Sequence, residues 1–207
     1  MLMEDKWHPR DIILAGMEAA LGKGNFTAVV DPEEFPWDAL KPAEAIFVSQ
    51  KGENQELPDG SKLRWITAER EKILRDFVAA GGSALFIHCG TVLADAGEGY
   101  QTLVGGNFLQ HPKQCSVTYA PLKVNHPILE GVGPFTVMDE HYHCQIDITK
   151  VTPLLAACSQ GNAGTLAAWC QEIGKGRTVA LCPGHTLEAV NNANAARLVA
   201  NTVKWLS

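Results

Sequence analysis

Gly81-Gly82-Ser83-Ala84-Leu85-Phe86-Ile87-His88-Cys89-Gly90-Thr91 decides how this chain reads. The apolar run from Ala84 to Ile87 is too short for a helix and shows no polar alternation, the pattern of a strand buried on both faces. It stops abruptly at a histidine, a cysteine and a glycine. In open α/β sheets ligands bind beyond the carboxyl ends of the strands, so His88 and Cys89 are site candidates by position alone.

Upstream, Thr67 reads as the N-cap of a helix with Glu69 and Glu71 in its first turn, a buried stripe at Ile73, Leu74, Phe77 and Val78, and a stop at Gly81-Gly82. Ala45 to Val48 and Phe26 to Val30 read as further strands, and Gln50 to Leu63 as a polar surface loop. Ile12, Ile13, Met17, Ala20 and Leu21 recur at helical spacing, which places an amphipathic helix over about residues 9–21. Met1 to Lys6 is short and polar. The chain is therefore expected to begin with that helix, its first strand lacking or lying upstream of Met1.

Downstream, the runs 115–124, 135–144, 152–157, 165–171 and 177–182 have strand character, and Gly174-Lys175-Gly176 is a hairpin turn. A closing helix over about residues 191–206 turns Ala195, Leu198, Val199, Val203 and Leu206 inward, with Asn191, Asn192 and Asn194 at its cap. The expected fold is one α/β domain over residues 1–207, a mainly parallel sheet between helical layers with an antiparallel extension.

Composition narrows the function. A formal net charge of -6 and the lack of a Lys/Arg cluster argue against a nucleic-acid partner. No apolar run approaches the roughly 20 residues of a membrane span, and the opening residues hold no signal-peptide core. The six cysteines show no CxxC spacing, so reduced thiols in a cytoplasmic protein are expected rather than a disulfide framework.

The histidines carry the sharpest chemistry. His88 ends one strand, Asp139-Glu140-His141-Tyr142-His143 closes a second, and His185 follows a third through Cys182-Pro183-Gly184, while His111 and His126 each precede a proline. Imidazole and carboxylate converging from several strands suit proton transfer, or a divalent metal such as zinc or manganese. If 139–143 is extended, Asp139, His141 and His143 share one face and Glu140 and Tyr142 the other.

Taken together, Gly81-Gly82, His88, Tyr100, Leu103, Val104, Gly105, Gly106, Phe108, His111-Pro112, His126-Pro127-Ile128, Phe135, Asp139, Glu140, Tyr142, Trp169, Gly174, Gly176, Arg177, Gly184 and His185 resemble the ThuA-like (trehalose utilisation) family. The resemblance implies a flavodoxin-like, class I glutamine amidotransferase-like three-layer sandwich and a role in carbohydrate catabolism. It also implies 3-keto-glycoside substrates supplied by a partner sugar dehydrogenase. No nucleotide cofactor is expected, and a homo-oligomer is compatible with the family.

Three functional readings follow. In the first, His88, Glu140 and His185 are catalytic and His111, Tyr142 and Asp139 bind substrate, with a divalent metal on His88, His111, His143 or His185. In the second, Cys89 is a nucleophile on a strand-to-helix elbow, served by His185 and Glu188, although Ile87 and Thr91 stand where such elbows carry glycine. In the third, the chain is a noncatalytic sugar-binding module with Trp37, Trp65, Trp169 and Tyr100 as stacking surfaces. His8-Pro9 reads as a helix entry, with a place in the site as its lesser alternative.

Overall fold

The computed structural model describes residues 1–52, 55–56, 62–63, 65–92 and 97–207. In chain order its elements are β1 (Leu2–Met3), α1 (Arg10–Leu21), β2 (Ile46–Gln50), β3 (Gln55–Glu56), β4 (Lys62–Leu63), α2 (Ala68–Ala79), β5 (Ser83–Ile87) and α3 (Glu98–Val104). There follow β6 (Asn107–Gln110), β7 (Cys115–Pro121), β8 (Phe135–Asp139), β9 (His143–Gln145), β10 (Thr152–Ser159), β11 (Thr165–Ile173), β12 (Gly176–Leu181), α4 (Leu187–Asn191) and α5 (Ala193–Leu206).

Eight strands form one sheet in the order β1-β2-β5-β12-β11-β10-β7-β8. The pairs β1–β2, β2–β5 and β5–β12 are parallel. Those from β12 through β11, β10 and β7 to β8 are antiparallel. This is the expected flavodoxin-like sandwich with its antiparallel extension. Helices cover both faces: Phe86 of β5 meets Tyr100 of α3, while Ile87 packs towards α4 and α5. Two small pairs, β3–β4 and β6–β9, lie outside the main sheet.

The local signals that placed these elements act as their chemistry demands. The Thr67 hydroxyl accepts the Arg70 amide and caps α2. Ile173 pairs with Gly176 across a two-residue turn whose Gly174 has φ 62°, which closes the β11–β12 hairpin. Asn192 alone caps α5, accepting from Asn194 and Ala195, whereas Asn194 accepts the Gly133 amide and Asn191 ends a separate short helix.

Two expectations are corrected. The opening residues do supply a strand: Leu2 and Met3 are fully buried and pair in parallel with Ser49 and Gln50. Two apolar side chains suffice, because both are buried completely in the hydrophobic core. Phe26 to Val30 is not a strand but contributes an isolated bridge from Val29 to Leu2. Half of the polar loop read between Gln50 and Leu63 lies outside the described residues, and the described part includes the antiparallel β3–β4 pair.

Candidate active site

Four parallel strands end at one side of the sheet, and the segments that follow them build the site. After β1, Glu4 adopts φ 71° and turns the chain so that Asp5 and His8 fold back over the strand ends. After β5, His88 itself takes φ 46°, a conformation that costs a non-glycine residue of order 1–3 kcal/mol and is held only by its surroundings. Gly90 two residues on lies against the Ser49 carbonyl of β2, where any Cβ would overlap that oxygen. The elbow therefore belongs to His88, not Cys89. After β12, Gly184 at φ 150° passes beside the His88 side chain and delivers His185. Glu140 and Tyr142 arrive from the end of β8, and His111 from the end of β6.

Hydrogen bonds orient each ring. The His88 Nδ1–H donates to the Cys182 carbonyl at 2.7 Å, which turns Nε2 towards Tyr142, His185 and Glu140. There Nε2 lies 3.0 Å from the Tyr142 hydroxyl, 3.3 Å from His185 Nδ1 and 3.4 Å from Glu140 Oε2. His185 Nδ1 is 3.3 Å, and His111 Nε2 3.6 Å, from the same carboxylate oxygen. The His111 Nδ1–H donates to the Pro112 carbonyl, leaving Nε2 to face Glu140. His8 donates from Nδ1 to Asp5 at 2.6 Å, and its ring stands edge-on to His88 and His185 at 5.0 and 4.9 Å.

Asp139 fixes the frame rather than facing the cleft. Its buried carboxylate accepts the Tyr119 hydroxyl and the amides of Glu140, Gly184 and His185, tying the end of β8 to the segment after β12. The alternation expected for 139–143 holds in outcome although the strand stops at Asp139. Glu140 and Tyr142 enter the cleft, while His141 bonds Ser159 and Thr165 on the other side and His143 packs against His141.

Charge follows geometry. Burial disfavours a charged His88, but the Glu140 carboxylate, Asp139 and the Cys182 carbonyl outweigh it and raise the pKa above the ordinary histidine value. Burial also works against an ionised Glu140, yet hydrogen bonding to His88 and the positive field of the histidines lower its pKa. His185 is lowered, by burial and then by His88. Asp5 is held at about 2 against its own burial, chiefly by its hydrogen bond to His8.

Asp5, His8, His111, Glu140, Tyr142 and His185 line a cleft of about 600 Å³ whose wall also includes Trp7, Phe108 and Gln114, with the fully buried His88 directly behind them. Its size falls in the range of roughly 300–1,000 Å³ usual for small-molecule sites. The structure thus brings together His88, Glu140, His185, Tyr142 and His111, and it adds His8 as a full member. His143 is not brought to them. Cys89 is fully buried beside Asp5 and His8, burial raises its thiol pKa well above the ordinary value, and Glu188 is exposed on α4.

The aromatic stacking surfaces named from sequence are elsewhere. Trp65, Trp169 and Tyr100 are core residues donating to the carbonyls of Gly52, Val104 and Gly90. Trp37 packs on Phe35 and Arg70. Trp7, 69% exposed at the cleft wall, is the aromatic that sequence reasoning passed over. Its position directly before His8-Pro9 was the available signal.

Residues 12–206 match the family model ThuA, described as trehalose utilisation. A ThuA-like protein from Parabacteroides merdae superposes with a TM-score of 0.73 at 13% identity, covering 99% of this chain and 87% of that one. A ThuA-like protein from Bacteroides uniformis gives 0.70 at 15%, covering 99% and 88%. A beta-galactosidase from Bacillus circulans gives 0.62 at 12%, covering 94% of this chain but 27% of that one. At such identities these likenesses establish the fold alone. No curated protein matches the sequence.

Proposed function

We propose, for a chain that belongs to the ThuA (trehalose utilisation) family, a carbohydrate-processing enzyme that removes a proton next to a ketone on a 3-keto-glycoside and so releases the C1 substituent. The observation that carries this reading is the single oxygen, Glu140 Oε2, faced by three imidazole nitrogens at 3.3–3.6 Å in a cleft beyond the parallel strands.

The C3 ketone acidifies the proton on C2. His111 takes it: the Pro112 carbonyl holds the Nδ1 proton, so Nε2 carries the lone pair, and the imidazolium that forms faces the Glu140 carboxylate. The electron pair of the C2–H bond moves into an enolate whose oxygen accepts a hydrogen bond from the Tyr142 hydroxyl, which stands beside His88. The enolate then expels the C1 oxygen substituent, which leaves with a proton from His111. Water adds to C1 of the resulting enone while C2 is reprotonated, so the net change is hydrolysis. Trp7 at the rim offers an apolar face to the C–H face of a sugar ring.

The test is to incubate the protein with 3-keto-disaccharides in D2O and follow C2 deuteration and monosaccharide release by NMR. Wild type should exchange and cleave, and His111→Gln should be slower by roughly 10²–10⁴-fold, the usual worth of a general base. Binding without exchange or cleavage across such substrates would sink this reading and leave a noncatalytic sugar-binding module.

A further inference from the structure

We infer that His8, His88, Glu140 and His185 form a binding site for one divalent transition-metal ion, zinc or a chemically similar cation, with His8 as the donor that completes it. The donor atoms of the four residues all lie within 4.8 Å of one another. Three of those separations are 3.3, 3.3 and 3.4 Å, for His88 Nε2 to His185 Nδ1, His185 Nδ1 to Glu140 Oε2 and His88 Nε2 to Glu140 Oε2. Metal–ligand bonds of about 2.0–2.1 Å in a tetrahedron place neighbouring ligands about 3.3–3.4 Å apart. The triangle is thus one face of a zinc-sized coordination shell.

His8 supplies the independent sign. Its Nε2 is buried and has no hydrogen-bond partner, while Nδ1 is committed to Asp5. An orphaned, buried imidazole nitrogen among three other donors is unfavourable unless something occupies the space between them. The outer hydrogen bonds are those of metal-binding histidines: Asp5 on His8 and the Cys182 carbonyl on His88 each fix the tautomer that leaves the inward nitrogen able to coordinate. Three imidazoles with one carboxylate suit zinc and related first-row ions over magnesium or calcium.

When bound, such an ion supplies a Lewis acid for a substrate oxygen. His111, 3.6 Å from the same Glu140 oxygen, is outside this donor set and remains the proton-transfer group of the proposed reaction. The ligand set itself does not depend on that reaction.

The experiment uses protein purified without nickel affinity, stripped with chelator, and titrated with Zn2+ by calorimetry and with Co2+ by visible absorption. Wild type should bind one equivalent and give the d–d bands of a low-symmetry Co2+ site. His8→Ala and His88→Ala should each weaken binding by on the order of 100-fold or more, and Asp5→Asn by roughly 10–100-fold through loss of outer support. His143→Ala should bind as wild type, and circular dichroism checks that each variant is folded. The proposal is overturned if wild type takes up neither ion, if folded His8→Ala binds as tightly as wild type, or if a thiolate-to-Co2+ charge-transfer band shows Cys89 to be the ligand. Full turnover by stripped protein would leave the keto-sugar reading standing and remove the metal from it. Metal binding without C2 exchange would do the reverse.

Discussion

Cys89 and Trp7 border the same cleft and call for opposite treatment. The Cys89 thiol is fully buried with a pKa pushed well above the ordinary value, whereas Cys158 is exposed. Because the thiolate is the reactive form, iodoacetamide at mild pH should modify Cys158 and spare Cys89 in a peptide map of native protein. Cys89→Ser should retain turnover. Early alkylation of Cys89 together with loss of activity would restore the nucleophile reading. For Trp7→Ala, loss of one aromatic contact of about 0.5–1.5 kcal/mol predicts a KM raised by roughly 2–10-fold with kcat little changed. An unchanged KM would show that sugar does not rest on this ring. The sequence displayed His88, His185 and Glu140, since each follows an apolar run, and His111 through the proline after it. It gave His8 no such frame, because a two-residue strand is too short to read as one.

The elements meet at two tight points. Gly90 abuts the Ser49 carbonyl of β2, a backbone atom with no freedom to swing aside. Gly90→Ala should therefore cost about 1–3 kcal/mol in urea denaturation, the usual range for overpacking, and should disturb the His88 conformation two residues earlier. At the second point Asp139 accepts four donors from three segments. Asp139→Ala strands the buried Gly184 amide and the part-buried His185 amide, and a buried unsatisfied group of this kind costs about 1–3 kcal/mol. A destabilisation below 1 kcal/mol for this variant would show that the bracket is not what joins the antiparallel extension to the parallel half. The Thr67 cap and the Gly174-Lys175 turn could be read from sequence because both are contacts within a few residues. The Asp139 bracket was invisible there: its partners are up to 46 residues away.

At the scale of the whole molecule, His126 bears on stability against pH. It packs beside Trp205 of α5, and burial lowers its pKa from the usual 6.5. A base with a lowered folded pKa binds fewer protons in the native state than in the unfolded one, so its stability contribution is lost as pH falls through about 6.5 towards the folded value. Thermal melts between pH 8 and 5 should show a smaller acid-side loss for His126→Gln than for wild type, and identical slopes would refute this. Among the described residues no helix is long and apolar enough to cross a membrane. The amino-acid sequence by itself determined the longer strands and helices in their order, though not β1 or the separate α4, together with the switch from parallel to antiparallel pairing and the strand ends where chemistry gathers, because apolar period, caps and turns are properties of neighbouring residues. Which of seven histidines meet, which one bears the strained backbone and which nitrogen is left without a partner were decided only by tertiary structure. Those outcomes depend on side chains from segments far apart in the chain, placed by the sheet order and by hydrogen bonds that form only once the sheet is closed.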